Sequence, residues 1–205
     1  MRKSFTMAAM ALTLTLGSLT LGSLAAFADA LQDGATAFKR NDYSRALASW
    51  RPLAVQGNPV AQNNLGIMYL DGKGVPQNTS EAVRYLSLSA AAGSSLGQNN
   101  LGGLYRDGKG VPRDYGKAAQ WFAASASQGN SAGMYNLGLM YEMGQGMKAE
   151  PFHAYMWYAL AADQGNMPNA AAHRDALFRR MTPAAQTQAR QMATACKRNN
   201  YKGCT

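Results

Sequence analysis

Small and apolar residues return at i, i+3, i+4, i+7 and i+8 in four stretches of this chain, the spacing of one face of a helix. The stretches are Ala46, Ser49, Trp50, Leu53, Ala54; Ala82, Tyr85, Leu86, Ser89, Ala90; Ala118, Trp121, Phe122, Ser125, Ala126; and Ala154, Trp157, Tyr158, Ala161, Ala162. Small residues hold the ends of each face and aromatic residues its centre, which predicts helices that approach closely around a bulky plug. At one constant phase after each stretch stands a glycine: Gly57, Gly93, Gly129 and Gly165. Glycine takes the left-handed backbone that ends a helix, so the chain is expected to reverse at these points.

A second stripe follows each reversal: Ala61, Leu65, Met68, Tyr69; then Gly97, Leu101, Leu104, Tyr105; then Gly133, Leu137, Met140, Tyr141. Within it the string Asn-Leu-Gly-x-x-Tyr-x-x-Gly-x-Gly is written three times, from Asn64, Asn100 and Asn136, with a period of 36 residues. A fixed period in this range predicts stacked two-helix units. Gly66, Gly102 and Gly138 fall inside the second helix, where glycine costs about 1 kcal/mol relative to alanine. Their recurrence predicts a packing site with no room for a methyl group. The loop Asp71-Gly72-Lys73-Gly74-Val75-Pro76 returns as Asp107-Gly108-Lys109-Gly110-Val111-Pro112, two flexible glycines followed by a stiffener, and the third copy, Gly144-Gln145-Gly146-Met147, lacks the proline.

The pattern changes at both ends. Leu31 to Arg40 reads as half a unit with a shortened loop to Tyr43, and Met167 to Arg180 has lost the Leu-Gly string. Both suit caps, because a terminal unit faces water on one side. Thr182-Pro183 then opens a last helix through about Lys197, with proline in a tolerated first-turn position. At the start, Met1-Arg2-Lys3 precedes an uncharged run over residues 4–28 that closes on Ala26-Phe27-Ala28, the small-x-small pattern cut by a signal peptidase. That run is long enough for a membrane anchor, but its Thr, Ser and Gly content and the adjoining cleavage pattern favour removal. The expected organisation is a signal peptide over 1–28, an N-terminal capping helix over 29–42, a repeat solenoid over 43–180, and a C-terminal capping helix with a basic tail over 181–205. The expected location is periplasmic or secreted.

Charge changes this picture only at the C-terminus. The chain carries a net +9, and from Arg174 onward seven basic residues face the single acid Asp175. The repeats themselves are close to neutral. The tail is expected to make at most a weak contact with anionic surfaces, or to serve as a solvated face that keeps the protein soluble. Nucleic acid is not an expected partner after export. Cys196 and Cys204, both in this tail, predict a disulfide in an oxidising compartment, and its nine-residue loop would contribute about 2.5 kcal/mol.

Candidate chemistry is sparse. The histidines are His153 and His173, and no H-E-x-x-H or S-x-x-K string occurs. The methionines are dispersed at helical positions, which suits gap-filling in a core, and no Cys or His at ligand spacing joins the cysteine pair. No cofactor and no catalytic residue is assigned. Asn78-Thr79-Ser80 matches a glycosylation acceptor and is given no functional weight.

The repeated Leu-Gly-x-x-Tyr-x-x-Gly-x-Gly-Val, followed by a small-residue, aromatic, Ala-Ala-x-Gly string, resembles the Sel1-like repeat family, relatives of the tetratricopeptide repeats with a longer period. The resemblance covers about Tyr43 to Phe178. It implies an all-α fold, a right-handed α-α superhelix whose concave face is lined by the Leu-Gly helices, and a role as an adaptor or regulator in the bacterial envelope. By analogy with the tetratricopeptide relatives, Asn64, Asn100 and Asn136 would point towards that face. Asparagine offers both a donor and an acceptor, so a row of them suits the main chain of an extended peptide or a partner protein. Asn63, Asn99 and Tyr135 would widen the surface, and Arg106 and Glu142 would add charge selectivity. An alternative is that the asparagines bond neighbouring helices and touch no ligand. A different class of function is a cell-wall-directed hydrolase or β-lactam-binding protein, although relatives active on β-lactams are rich in regularly spaced cysteines and this chain is not.

Overall fold

The computed structural model of the protein describes residues 21–165 and 167–204. Ten helices and no strands are found among the described residues. In chain order they are α1 (Leu21–Lys39), α2 (Tyr43–Val55), α3 (Pro59–Asp71), α4 (Thr79–Ala91), α5 (Ser95–Asp107), α6 (Tyr115–Ala126), α7 (Ser131–Met143), α8 (Pro151–Asp163), α9 (Pro168–Arg179) and α10 (Pro183–Arg198). Through α9 each helix packs against the next, and α3, α5 and α7 also touch in succession, which puts these three on the inner side of a right-handed superhelix. The predicted leader lies largely outside the described residues, and α1 begins at Leu21.

Local chemistry sets the helix ends. Side chains of Asp42, Asn58, Asn78, Ser94, Asp114 and Asn130 accept from backbone N–H groups in the first turns of α2 to α7, which satisfies donors that the helix itself leaves free. Asn78, the residue of the glycosylation-type string, thus begins α4 by accepting from Glu81 N–H at 3.1 Å. The inner helices α3, α5 and α7 end on Gly72, Gly108 and Gly144, all with left-handed backbone.

The units interlock through the mid-helix glycines. A Cβ on Gly66 would stand 2.6 Å from Cγ of Leu86, one on Gly102 2.8 Å from Cδ1 of Phe122, and one on Gly138 2.8 Å from Cδ1 of Tyr158. Each glycine therefore seats the side chain at the centre of the next helix's buried face. Gly34 in α1 does the same for the Trp50 indole, whose Nε1 donates to the Leu31 carbonyl at 3.2 Å. Gly34 thus brings α1 against α2 as Gly66 brings α3 against α4, and Asn41, in left-handed backbone, lies in the short link between α1 and α2. Two fully buried serines tie neighbouring units: Ser89 Oγ donates to the Pro59 carbonyl and Ser125 Oγ to that of Ser95, each at 2.7 Å.

At the other end the order breaks. Having lost the Leu-Gly string, α9 buries Ala170 and Leu177, and α10 folds back onto α8. Ala189 of α10 joins Ala154, Tyr155, Tyr158 and Leu177 in one cluster. The Cys196–Cys204 disulfide is present with its Cα atoms 5.4 Å apart, and it closes the tail beyond α10.

Candidate functional site

The inner helices bring the asparagines together across the repeat boundaries. Asn100 Nδ2 donates to Asn63 Oδ1 at 2.7 Å, and Asn136 Nδ2 to Asn99 Oδ1 at 2.8 Å. Within each pair, Asn63 donates to Asn64 at 3.3 Å and Asn99 to Asn100 at 3.4 Å. Arg106 closes the series by donating from Nη1 to Asn136 Oδ1 at 3.0 Å. The result is a chain with one sense of donation, from Arg106 through Asn136, Asn99, Asn100 and Asn63 to Asn64. Asn63 is buried and the others are half-buried.

This network does not exhaust the amides. A primary amide has two N–H donors and an oxygen with two lone pairs. Asn100 and Asn136 each use one donor and one lone pair within the chain, and Asn64 uses only its oxygen. The strip is held rigid by its own bonds and still carries further donors and acceptors. The sequence pattern marks the positions; the pairing between them requires knowing how far neighbouring units are offset.

Arg106 is itself held by Asp107, at 2.7 Å from Nε and 3.1 Å from Nη2. The guanidinium keeps the Asp107 carboxyl below its ordinary range. Glu142, one period further on, occupies the corresponding place at the far end of the strip. Its Oε2 accepts from the Tyr158 hydroxyl at 2.6 Å and lies 3.0 Å from His173 Nδ1. Burial first, and then the neighbouring carboxylate, push the Tyr158 hydroxyl far above the usual tyrosine range. Tyr135 borders the same cluster, with its ring 5.6 Å from Tyr158 and 5.8 Å from His173. The association of Glu142, Tyr158 and His173 is absent from the sequence reading, because its members lie on α7, α8 and α9 at no repeated spacing.

A cavity of about 340 Å³ opens beside Glu142, lined also by Pro151, Leu177, Arg180 and Met181. His153 lies elsewhere, stacked on Tyr141 at 5.0 Å. Among the described residues, no three of His, Cys, Asp and Glu gather in a way that could hold a metal ion, and no helix is long and apolar enough to cross a membrane. Several basic groups of the C-terminal segment have local partners. Arg174 pairs with Asp175 and Lys197 with Asp163, each at 2.8 Å, while Arg190 lies over the Phe178 ring at 4.5 Å.

Three consecutive segments, residues 59–94, 95–130 and 131–166, match the family described as Sel1 repeat. The fold is similar to the crystal structure of a Sel1 repeat protein from Oxalobacter formigenes, with 28% identity and a TM-score of 0.67 over 72% of this chain and 60% of that one. It is also similar to a protective antigen of uropathogenic Escherichia coli strains that displays an SLR fold, with 30% identity and a TM-score of 0.69 over 82% of this chain and 38% of that one. The chain thus spans less than two thirds of the length of either. No functionally curated protein matches it by sequence.

Proposed function

The chain belongs to the Sel1 repeat family, and from that premise we propose that it is an exported scaffold that holds a partner protein against its inner wall, as an adaptor or regulator in the bacterial envelope. Sel1 repeat proteins are in general interaction scaffolds rather than enzymes, which favours this reading over a cell-wall hydrolase or β-lactam-binding protein. The observation that carries it is the asparagine chain: a polar strip, fixed by its own hydrogen bonds, that keeps donors and acceptors on Asn64, Asn100 and Asn136 unused among the described residues. An extended main chain alternates N–H and C=O along its length and can use both kinds of group without a particular side-chain sequence. Arg106 and Glu142, with opposite charges near the Asn136 end of the strip, add charge selectivity, and Asn63, Asn99 and Tyr135 widen the surface.

Export is supported by the leader pattern at the N-terminus and by the disulfide. The basic tail is assigned at most a weak contact with anionic surfaces, since several of its cations already have partners.

The test is capture of partners from an envelope extract by wild type and by the triple variant Asn64→Ala, Asn100→Ala, Asn136→Ala. Loss of the same partners from the triple variant is expected. Asn64→Ala alone separates binding from folding, because it removes one hydrogen bond at the open end of the chain. Partners retained at equal strength by both variants would sink the groove assignment. Turnover of peptidoglycan or of a labelled penicillin that survives purification would replace the scaffold reading by the enzymatic one.

A further inference from the structure

The reversal between an outer helix and the next inner helix recurs four times, and at one copy the molecule covers it with its own tail. Gly57, Gly93, Gly129 and Gly165 share left-handed backbone, with φ of 86°, 84°, 82° and 78°. A Cβ on Gly129 would stand 3.3 Å from Cε2 of Tyr201, whereas at Gly57, Gly93 and Gly165 it would meet nothing within 4 Å among the described residues. Tyr201 is held there by the local fold of the tail. Its N–H donates to the Cys196 carbonyl at 3.0 Å, its backbone is left-handed, and the disulfide ties Cys204 back to Cys196. Its hydroxyl accepts from Gln164 Nε2 at 3.2 Å. The ring therefore lies between the α6–α7 reversal and the end of α8.

One period earlier the same seat is built and left open. Gly93 stands for Gly129, and Gln128, at the end of α6, stands for Gln164. Gln128 donates to Gln98 Oε1 at 2.7 Å and, less closely, to the Ala124 carbonyl at 3.4 Å, so its own Oε1 is unused among the described residues. Leu88 and Leu96, 43% and 46% exposed, stand where the covered copy has Ala124 and Ala132. At these two positions the open copy is the more apolar. At the Gly57 copy Ala92 replaces the glutamine, so the polar half of the seat is lost there.

We infer that the reversal at Gly93, with Leu88, Leu96 and Gln128 around it, is a docking surface for a partner protein that presents a tyrosine on a tight turn. The ring would lie over Gly93 as Tyr201 lies over Gly129, and the hydroxyl would donate to Gln128 Oε1. The cis contact also pairs Lys197 with Asp163 at 2.8 Å, but the position equivalent to Asp163 is Ser127. The partner turn therefore needs no matching lysine. This surface lies on the helix-reversal edge and is independent of the inner-wall reading.

The probe is a disulfide-closed peptide with the sequence of residues 196–205, fluorescently labelled and titrated onto the whole protein by anisotropy. Binding is expected, and it should weaken about tenfold or more with a Tyr201→Ala peptide, or with Leu96→Asp or Leu88→Asp in the protein. Both leucines are exposed, so an unchanged thermal melt confirms that these variants fold. Absence of binding, or binding that neither leucine variant alters, would overturn the inference. So would binding seen only with protein carrying Tyr201→Ala, because the peptide would then be filling the vacated cis seat.

Discussion

Asn100 donates from Nδ2 to Asn63 Oδ1 at 2.7 Å across a repeat boundary, and the bond recurs one period later between Asn136 and Asn99 at 2.8 Å. These side chains register one unit against the next. In the proposed function the same row of amides would also meet the partner, which couples binding to stacking.

This coupling predicts the response to two substitutions at one site. Asn100→Ala removes the bonds to Asn63 and from Asn99, and should cost about 1–3 kcal/mol, read as a lower urea midpoint at unchanged slope. Asn100→Asp should cost more at neutral pH, because it places a carboxylate oxygen against the Asn63 oxygen where a donor stood. An aspartate variant as stable as wild type would mean that the bond does not form in solution.

The adjacent glycines of α5 predict opposite signs. A methyl group on Gly102 would meet Phe122 at 2.8 Å, while one on Gly103 would meet nothing within 4 Å among the described residues. Gly102→Ala should destabilise by about 1–3 kcal/mol through overpacking. Gly103→Ala should stabilise by up to about 1 kcal/mol, the helix-propensity difference. Denaturant midpoints of the two variants measured side by side decide the matter.

Tyr158 makes stability sensitive to alkali. Its hydroxyl titrates above the ordinary tyrosine range in the folded state, so the folded chain holds a proton that the unfolded chain releases at a pH of about 10. Stability contributed by this group is complete below that pH and declines as pH rises towards the folded value. Tyr158→Phe should lose about 1.5–3 kcal/mol at neutral pH, the worth of a hydrogen bond to a charged group. It should also show a shallower loss above pH of about 10 than wild type. Parallel alkaline profiles for the two proteins would remove Tyr158 as the source.

The disulfide fixes the tail that covers the Gly129 reversal. Replacing Cys196 and Cys204 by serine should lower stability by up to about 2.5 kcal/mol. Hydrogen exchange should accelerate at the α6–α7 reversal and the end of α8, and remain unchanged across α3 to α5. Uniform acceleration along the whole chain would show that the tail does not act locally.

Much of the architecture was legible in the chain. The 36-residue period predicted stacked pairs, and the turn glycines marked reversals that appear with left-handed backbone at Gly57, Gly93, Gly129 and Gly165. The mid-helix glycines also announced close packing, found against Leu86, Phe122 and Tyr158. Asn78 shows where a short motif misleads, since its side chain is engaged as the start of α4. These features are local: each depends on residues within a helix turn or on the repetition of a single unit.

What lay beyond reach depends on the offset between units. Asn100 has its partner 37 residues away, Glu142 meets His173 of α9, and α10 settles on α8 instead of prolonging the stack. A side-chain hydrogen bond is decided within a few tenths of an ångström, and one-dimensional periodicity carries no information on superhelical rotation at that scale. The sequence by itself determined the helices, their reversals and the repeated packing unit, because backbone propensity and apolar spacing act locally. Only the tertiary structure decided which polar groups satisfy one another and which reversal the tail covers, because those contacts arise when separate units are brought to a fixed angle and distance.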